Sequence, residues 1–526
     1  MRDEHTQRGS VLSIIVLIAA GTALPAAAPA GGDLRLIEAA KNQDQQQVRA
    51  LLSQHADVNV RAEDGSTALL WAAHWNDIAT AELLLRAGAD ANAANAFRMT
   101  PLSLACTNAS AAAVELLLKA GANPGTPIAT GETPIMTCAA SGNAEAVRML
   151  IARGADVNAK EPSQNQTALM WAAAERHPDV VRTFIEAKAD LGAHTKKGFT
   201  ALHFAAREGD IESAGLLLRA GVNVNIRSHP EPSETAPASA DPPKGRTTAG
   251  GGGGARGPAY QATLSAGSTP LLVATVRGQV PLALFLLEKG ADPNVGDAGF
   301  MPLHWVAGTW ESGPSNPVYG FSDPMSGIPT RTAKLQLVQA LLAHGANPNV
   351  RMTQRPPGFA GGYEDAAGAT PFLLASAATD LEMMRILLAA GADPALVTDT
   401  RTTPVMAASG LNRGVGESPI VEEQALATVK FLIELGADGR GATTNGENAL
   451  FGAAYRGWNT LLALLIDKGA DVNAVSKASV TPWLAASGFG DRLGGVLYNK
   501  DGADLLLKHG ADPKLGKPCQ AQNKCR

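Results

Sequence analysis

Apolar and polar positions along the chain form two helical segments that recur together as a unit. In residues 200–225, small apolar side chains follow Thr200 at helical spacing, and the leucines at 216–218 belong to a second run with a period near 3.6. Gly209 separates the two runs. Gly221 follows the second run, where a left-handed helix terminator is expected because glycine has no Cβ. The pattern predicts a unit of helix, turn, helix and loop.

This unit returns about every 33 residues. A Thr-Pro-Leu-like triplet starts each copy, at Thr67, Thr100, Thr133, Thr167, Thr200, Thr269, Met301, Thr370, Thr403, Asn448 and Thr481. A Gly-Ala-Asp-Val-Asn-like signature closes the copies, most clearly at 154–158, 290–294, 345–349 and 469–473. Self-similarity at a fixed period predicts a solenoid, in which each unit buries its apolar face against its neighbours.

The period and the motif resemble the ankyrin repeat, whose signature is T-P-L-H-x-A over 33 residues. The nearest copies of the full motif run from Thr200 through His203 to Ala205 and from Met301 through His304 to Val306. The resemblance implies an all-α solenoid of about twelve helix–turn–helix repeats with projecting loops, covering nearly all of residues 33–516. It also implies that the motif histidines tie loop to helix by hydrogen bonds.

Length alone would favour three or four globular domains, but the repeats favour one elongated array. We divide the chain into a signal peptide at 1–30, a repeat sub-array at 31–228, a flexible Pro/Gly-rich insertion at 229–266, a second sub-array at 267–516 and a tail at 517–526. The long insertion marks either a joint between two sub-arrays or a loop that leaves a continuous stack.

The N-terminus predicts export. Residues 11–20 are apolar, and Ala28-Pro29-Ala30 provides an Ala-x-Ala site for cleavage after Ala30. The alternative is an uncleaved anchor, although the apolar run is short for a membrane span. We therefore expect a periplasmic or secreted protein with no membrane span after cleavage.

The four cysteines fall into two pairs. Cys519 and Cys525 flank a polar tail, and in an exported protein we expect them to form a local disulfide. A metal site there is the alternative, but no histidine accompanies them. Cys106 and Cys138 lie in first helices of adjacent units, where we expect small buried apolar residues, with a bridge between them left open.

No sequence motif points to catalysis. The chain lacks a G-x-S-x-G elbow, an H-E-x-x-H pair, a Walker-type loop and an EF-hand loop. The net charge of −5 and the pI near 6.1 leave no electrostatic footprint for nucleic acid or an anionic membrane. We expect neither an enzyme nor a bound cofactor or metal.

The residues that follow each Ala-Ala pair vary in type from unit to unit. Because a structural position should repeat its residue type, this variability predicts a contact surface, although neutral drift on an exposed face is the alternative. The candidate protein-binding residues are His74, Trp75, Glu175, Arg176, Arg207, Glu208, Arg277, Trp310, Tyr455 and Arg456. By contrast, Trp71, Trp171, Phe204 and Trp305 repeat one helix position, which is typical of packing.

These patterns predict an exported, monomeric scaffold that binds a protein partner. The resemblance to ankyrin repeats implies that the partner binds the concave face of the repeats and the inserted loops. The alternative is a receptor for a small molecule or a peptide, whose pocket is formed by an inserted loop. Two of these loops contain aromatic residues that either anchor a partner or pin the loop onto the solenoid, namely Tyr319, Phe321, Phe359 and Tyr363. A third reading is an enzyme whose site is assembled from the insertions.

Overall fold

The protein folds into pairs of short helices that stack along the chain. The computed structural model describes residues 33–229, 266–308, 330–354, 367–411, 420–489 and 498–516. Within these ranges it contains 24 helices, and the extended backbone is limited to an isolated bridge between Lys160 and Thr167. The 24 helices make twelve helix pairs, so the prediction of an all-α solenoid of about twelve repeats is confirmed.

The helices alternate between a first and a second member of each pair. They are α1 (Arg35–Lys41), α2 (Gln45–Ser53), α3 (Ala68–His74), α4 (Ile78–Arg86), α5 (Pro101–Thr107), α6 (Ala111–Lys119), α7 (Pro134–Ala140), α8 (Ala144–Ala152), α9 (Ala168–Ala174), α10 (Pro178–Glu186), α11 (Ala201–Glu208), α12 (Ile211–Arg219), α13 (Pro270–Val276), α14 (Val280–Glu288), α15 (Pro302–Ala307), α16 (Arg331–Ala343), α17 (Pro371–Ala377), α18 (Leu381–Ala389), α19 (Pro404–Ala408), α20 (Glu422–Glu434), α21 (Ala449–Arg456), α22 (Asn459–Asp467), α23 (Pro482–Ala486) and α24 (Lys500–Lys508).

The threonine of the repeating triplet starts most of the first helices. Thr67 Oγ1 accepts a hydrogen bond from the backbone N–H of Leu70, and Thr370 Oγ1 accepts one from Leu373, each at 3.3 Å. The same cap is made by Thr100, Thr167, Thr269, Thr403 and Thr481. Because the first N–H groups of a helix have no partner within the helix, this side chain fixes where each helix begins.

A second set of caps fixes the second helices. Asp44, Asp77, Asp210 and Asp380 each accept a hydrogen bond from the N–H three residues further on, at 2.9 to 3.1 Å. Gly221 follows α12 with φ +96°, so the predicted left-handed terminator is confirmed. Many of the helix pairs therefore carry their own start and stop signals in the sequence.

Contacts within the chain define two compact units, 1–134 with 152–154 and 135–151 with 155–526. In the first unit, α1, α3 and α5 pack side by side, and α2, α4 and α6 form a second row. Leu69 and Ala72 of α3 are buried against these neighbours, as are Leu84 of α4 and Leu117 of α6. Small side chains on the first helices let the backbones of these helices approach closely, while the larger leucine side chains fill the remaining buried space.

In the second unit, the first helices from α9 to α23 pack consecutively, and this row continues across the long insertion. α11 packs on α13 although residues 230–265 lie between their repeats in the chain. The Ser228 backbone N–H donates to the carbonyl oxygen of Ser268 at 3.0 Å, and the Ser268 N–H donates to Ser228 Oγ at 3.0 Å. The chain thus returns to the stack directly beside the point where it left.

Both internal cysteines are fully buried, as predicted, and both are disulfide-bonded. The expectation that Cys106 and Cys138 act only as small apolar side chains is therefore incomplete. The predicted pair Cys519 and Cys525 lies outside the described residues, as does the predicted signal peptide at 1–30. Among the residues that the structure describes, no helix is both long and apolar enough to cross a membrane.

Candidate functional site

The two motif histidines join neighbouring repeats. His203 Nδ1 accepts a hydrogen bond from the Thr200 backbone N–H at 3.2 Å, and its Nε2 lies 3.0 Å from the carbonyl oxygen of Ser268. His304 repeats this arrangement with the Met301 N–H at 2.9 Å and the Val350 carbonyl at 3.0 Å. Because Nδ1 is an acceptor, Nε2 carries the proton and donates it to the next repeat. The expected role of these histidines in tying helix to loop is confirmed.

Both histidines are neutral in the folded protein. Burial lowers the pKa of His203 to about 4, and the hydrogen bond to Ser268 opposes this shift only in part. Burial likewise lowers the pKa of His304 to about 4. Their ring nitrogens are occupied by backbone partners, so the arrangement is structural.

The asparagine that closes many repeats forms a second connection between repeats, in addition to the turn that the sequence predicts there. Asn294 Nδ2 donates to the carbonyl oxygen of Gly345, and Asn294 Oδ1 accepts from the Asn347 N–H, both at 2.8 Å. We call this pair of bonds the asparagine bridge. The same two bonds are made to the following repeat by Asn59, Asn92, Asn225, Asn349 and Asn473. Asn158 makes the Oδ1 bond to the Asp190 N–H.

The described candidate binding residues lie at the C-terminal ends of first helices or in the turns that follow them. His74 is the last residue of α3, and Trp75 caps that helix with 44% of its surface exposed. Glu175 occupies the same place after α9, and Arg176 follows it with φ +61°. The sequence pattern therefore selected one recurring structural position, although Trp310 lies outside the described residues.

One of these positions in the first unit holds a group of aromatic side chains around Trp75. The Trp71 and His74 rings meet edge to face at 5.6 Å, and the His74 and Trp75 rings meet at 4.7 Å. Trp75 Nε1 donates to the Lys41 carbonyl oxygen at 3.0 Å, while Lys41 Nζ lies 5.4 Å from the Trp71 ring centroid. We call these four residues the aromatic cluster. Because its indole N–H is already bonded, Trp75 presents an apolar ring to solvent in a fixed orientation.

Arg207 and Glu208 form a polar counterpart at the end of α11. Arg207 Nε and Glu208 Oε1 are 2.6 Å apart, and the Arg207 guanidinium lies 4.9 Å from the Phe204 ring centroid. Both side chains are about one-third exposed, at 33% and 35%. Their charges are paired with each other, so a partner would have to engage the pair as a unit.

The remaining described candidates are less accessible. Arg277 caps α13 and is half-buried. Arg456 packs its guanidinium 5.2 Å from the Trp458 ring centroid, and burial lowers its pKa. A Cβ at Gly410 would lie 2.7 Å from Arg456 Cδ, so this side chain fills space against the preceding repeat. Tyr455 beside it is half-buried.

The repeated aromatic position has two kinds of environment. Phe204 and Trp305 are buried at 7% and 5% exposure, which agrees with the packing role expected for them. Trp71 and Trp171 are half-buried, and Trp171 Nε1 donates to Gln166 Oε1 at 3.1 Å. Trp71 therefore takes part both in packing and in the exposed aromatic cluster.

One exposed residue of the first unit escaped the sequence analysis. Phe97 is 51% exposed in the loop that precedes α5, and its carbonyl oxygen accepts from the Ala129 N–H of the next loop at 3.0 Å. The signal in the sequence that could have identified Phe97 is a large apolar residue in an otherwise polar loop.

Within the described ranges, no group of three or more His, Cys, Asp and Glu side chains could hold a metal ion.

Comparison with known families supports the resemblance seen in the sequence. The family described as "Ankyrin repeats (3 copies)" matches residues 36–128, 76–161, 113–195 and 135–228, and the family "Ankyrin repeat" matches 266–298. The matches fall on the helix pairs of both units and lie on either side of the long insertion.

Individual proteins match shorter stretches. Protein PhlB of Serratia liquefaciens is 29% identical over 142 residues, which make up 27% of this chain and 47% of that protein. The chain thus spans about half the length of this curated relative. The crystal structure of the human ASB11 ankyrin repeat domain is 29% identical, covering 37% of this chain and 86% of that one, with a TM-score of 0.34.

Proposed function

Since this chain is an ankyrin repeat protein, and such repeats indicate a protein–protein interaction scaffold, we propose that it is an exported scaffold that binds a protein partner without catalysis. The partner would contact the ends of the first helices and the adjacent loops. The observation that carries this proposal is the aromatic cluster of the first unit, in which Trp75 is 44% exposed yet held in one orientation.

Fixed aromatic side chains are effective anchors because they bury a large apolar area and lose little conformational entropy on binding. Trp75 has bonded its N–H within the protein, so covering its ring leaves no polar group unsatisfied. Phe97 offers a second exposed ring in the same unit. Lys41 and His74 supply polar neighbours for the rim of such a contact.

Export is supported by two independent features. The apolar run at 11–20 and the Ala28-Pro29-Ala30 site have the form of a cleaved signal peptide. The disulfide-bonded state of Cys106 and Cys138 is typical of a protein that matures in an oxidising compartment. We propose the periplasm or the exterior of the cell as the location.

The test is affinity capture from the exported fraction with the mature protein, beginning at Gly31, as bait. We expect the wild-type bait to retain a protein that a Trp75→Ala bait of equal stability does not retain. Capture of no protein, together with a small molecule that raises the melting temperature, would refute the scaffold. That outcome would favour the alternative receptor for a small molecule or a peptide.

A further inference from the structure

Two lysine residues form the tip of the loop between α10 and α11. The Gly198 backbone N–H donates to the Thr195 carbonyl oxygen at 2.7 Å, and the Thr195 N–H donates to the Phe199 carbonyl oxygen at 2.9 Å. The first of these bonds closes a turn in which Lys196 and Lys197 are the central residues. Both lysine side chains are exposed. Backbone hydrogen bonds therefore hold two charged residues at the surface.

The loop between α8 and α9 lies directly beside this tip. The Lys196 backbone N–H donates to the Gln164 carbonyl oxygen at 2.9 Å, and Lys196 Nζ donates to the Pro162 carbonyl oxygen at 2.7 Å. The same neighbouring loop carries a third exposed lysine, Lys160. Two adjacent loops of the second unit thus carry three exposed ammonium groups. We call Lys160, Lys196 and Lys197 the basic patch.

The charges of the basic patch are not neutralised within the two loops. The acidic residue in segments 160–167 and 195–199 is Glu161, which is 3% exposed and accepts from backbone N–H groups of its own loop. Asp156 and Asp190 precede the two loops, and each accepts a backbone N–H of its own turn at 2.9 Å. Among the residues that the structure describes, none of the three lysines forms an ion pair. The patch therefore carries a local positive charge in a chain whose net charge is −5.

The same turn in other repeats has central residues of different chemistry. Because backbone hydrogen bonds close the turn, its fold does not require lysine at these positions. The residue types at the tip are therefore free to suit a partner. The central residues are Glu63 and Asp64 before α3, Ala96 and Phe97 before α5, and Lys477 and Ala478 before α23.

We propose that the basic patch is a contact site for an acidic segment of the protein partner, whose carboxylate side chains pair with the three lysines. The proposal rests on the scaffold function proposed above and adds the chemistry of the partner to it. Charge pairs of this kind steer association and select among partners. Three lysines are too few for nucleic acid, since proteins that bind it commonly neutralise about 6–10 phosphates.

Fluorescence anisotropy of a labelled decaglutamate peptide with the full chain tests this proposal. We expect binding at about 50 mM salt that weakens at about 200 mM, because salt screens exposed charges. The triple variant Lys160→Gln, Lys196→Gln and Lys197→Gln should bind the peptide about tenfold more weakly, since it loses three exposed charge pairs. The corresponding triple arginine variant keeps the charges and should bind as the wild type does.

A control variant removes the same amount of charge at exposed lysines of other repeats, with Lys430→Gln, Lys477→Gln and Lys514→Gln. It should bind the peptide as the wild type does. Equal weakening by both glutamine variants would overturn the proposal, because net charge alone would then explain binding. The proposal is also overturned if the wild type binds decaglutamate no more tightly than decaglutamine.

Affinity capture with the wild-type bait separates this proposal from the scaffold function. A retained protein partner, together with no binding of decaglutamate, would leave the scaffold in place and remove only its acidic contact. A DNA duplex that binds the wild type more tightly than decaglutamate, and loses that binding in the triple glutamine variant, would overturn the assignment of the patch to carboxylates.

Discussion

His203 donates its Nε2 hydrogen to the carbonyl oxygen of Ser268, 65 positions further along the chain and 3.0 Å away. This bond spans the long insertion and joins the repeats on either side of it. It requires a neutral imidazole, since Nδ1 is occupied as the acceptor of the Thr200 N–H. His304 makes the equivalent bond to Val350 across another insertion. The stability of both junctions therefore depends on pH.

We expect the free energy of unfolding to fall with pH below about 6.5. The unfolded histidines bind protons with a pKa of 6.5, whereas burial lowers the folded pKa of His203 and His304 to about 4. The contribution of each neutral histidine to the free energy of unfolding is thus fully present above pH 6.5 and is lost as the pH falls from 6.5 to 4. At pH 5 the loss amounts to about 2 kcal/mol for each histidine.

The measurement is urea unfolding at pH 7.5 and at pH 5 for the wild type and for His203→Leu. Leucine is the native residue at the same motif position in the α13–α14 repeat, where Leu272 is buried. Between pH 7.5 and pH 5, the free energy of unfolding of the variant should fall by about 2 kcal/mol less than that of the wild type. An equal loss in both proteins would show that His203 does not titrate as described.

Trp75→Ala should weaken partner binding at least about tenfold, because a central exposed aromatic ring contributes more than most contact residues. Titration calorimetry with the captured partner measures the change. Leu435→Ala is the matched control, since Leu435 is 41% exposed at the end of a second helix and does not belong to the first-helix ends or loops that the proposal names. Equal weakening by both substitutions would argue against a localised anchor.

Cys106 and Cys138 should resist alkylation in the denatured protein until a reductant is added. Both are disulfide-bonded and fully buried, so we expect iodoacetamide without reductant to leave the two peptides unmodified. Reduction should lower the melting temperature, because a native disulfide contributes on the order of 2–5 kcal/mol. Free thiols in protein purified from the exported fraction would contradict the oxidised state.

Glu161→Gln should destabilise the loop before α9. The carboxylate is 3% exposed and accepts from the backbone N–H groups of Ser163, Gln164 and Gln166 at 2.6 to 2.9 Å. Burial alone would raise the pKa of Glu161, but the hydrogen bonds from the Ser163 side chain and from these backbone N–H groups outweigh it and hold the pKa below 4.5. We expect the free energy of unfolding to fall by about 1–2 kcal/mol at pH 7, because the amide oxygen of glutamine is a weaker acceptor than the carboxylate.

Ionised Glu161 contributes to the free energy of unfolding at pH values above its ordinary pKa. This contribution is lost as the pH falls through the lowered pKa that Glu161 has in the folded protein. Thermal unfolding of the wild type and of Glu161→Gln should therefore converge in strong acid. Glu63→Gln, at an exposed loop position, is the control and should change stability by less than about 0.5 kcal/mol. A gap between wild type and Glu161→Gln that persists in acid would point to packing instead.

Much of the fold could be predicted because its signals are local. The threonine caps, the left-handed Gly221 and the 3.6-residue periodicity act within one repeat and recur in register. The position of the candidate surface followed from the same register. The aromatic cluster could not be predicted from this register, because Lys41 and Trp75 belong to different repeats and meet only when these repeats pack.

The sequence by itself determined the repeat, its length, its helix boundaries and the place where variable side chains emerge. Only the tertiary structure decided which of those side chains are exposed to solvent, such as Trp75, and which pack against a neighbouring side chain, such as Arg456. It also decided that asparagine and histidine side chains join one repeat to the next. The physical reason is range, since caps and turns depend on neighbours in the chain, whereas burial and inter-repeat hydrogen bonds depend on residues brought together only by stacking.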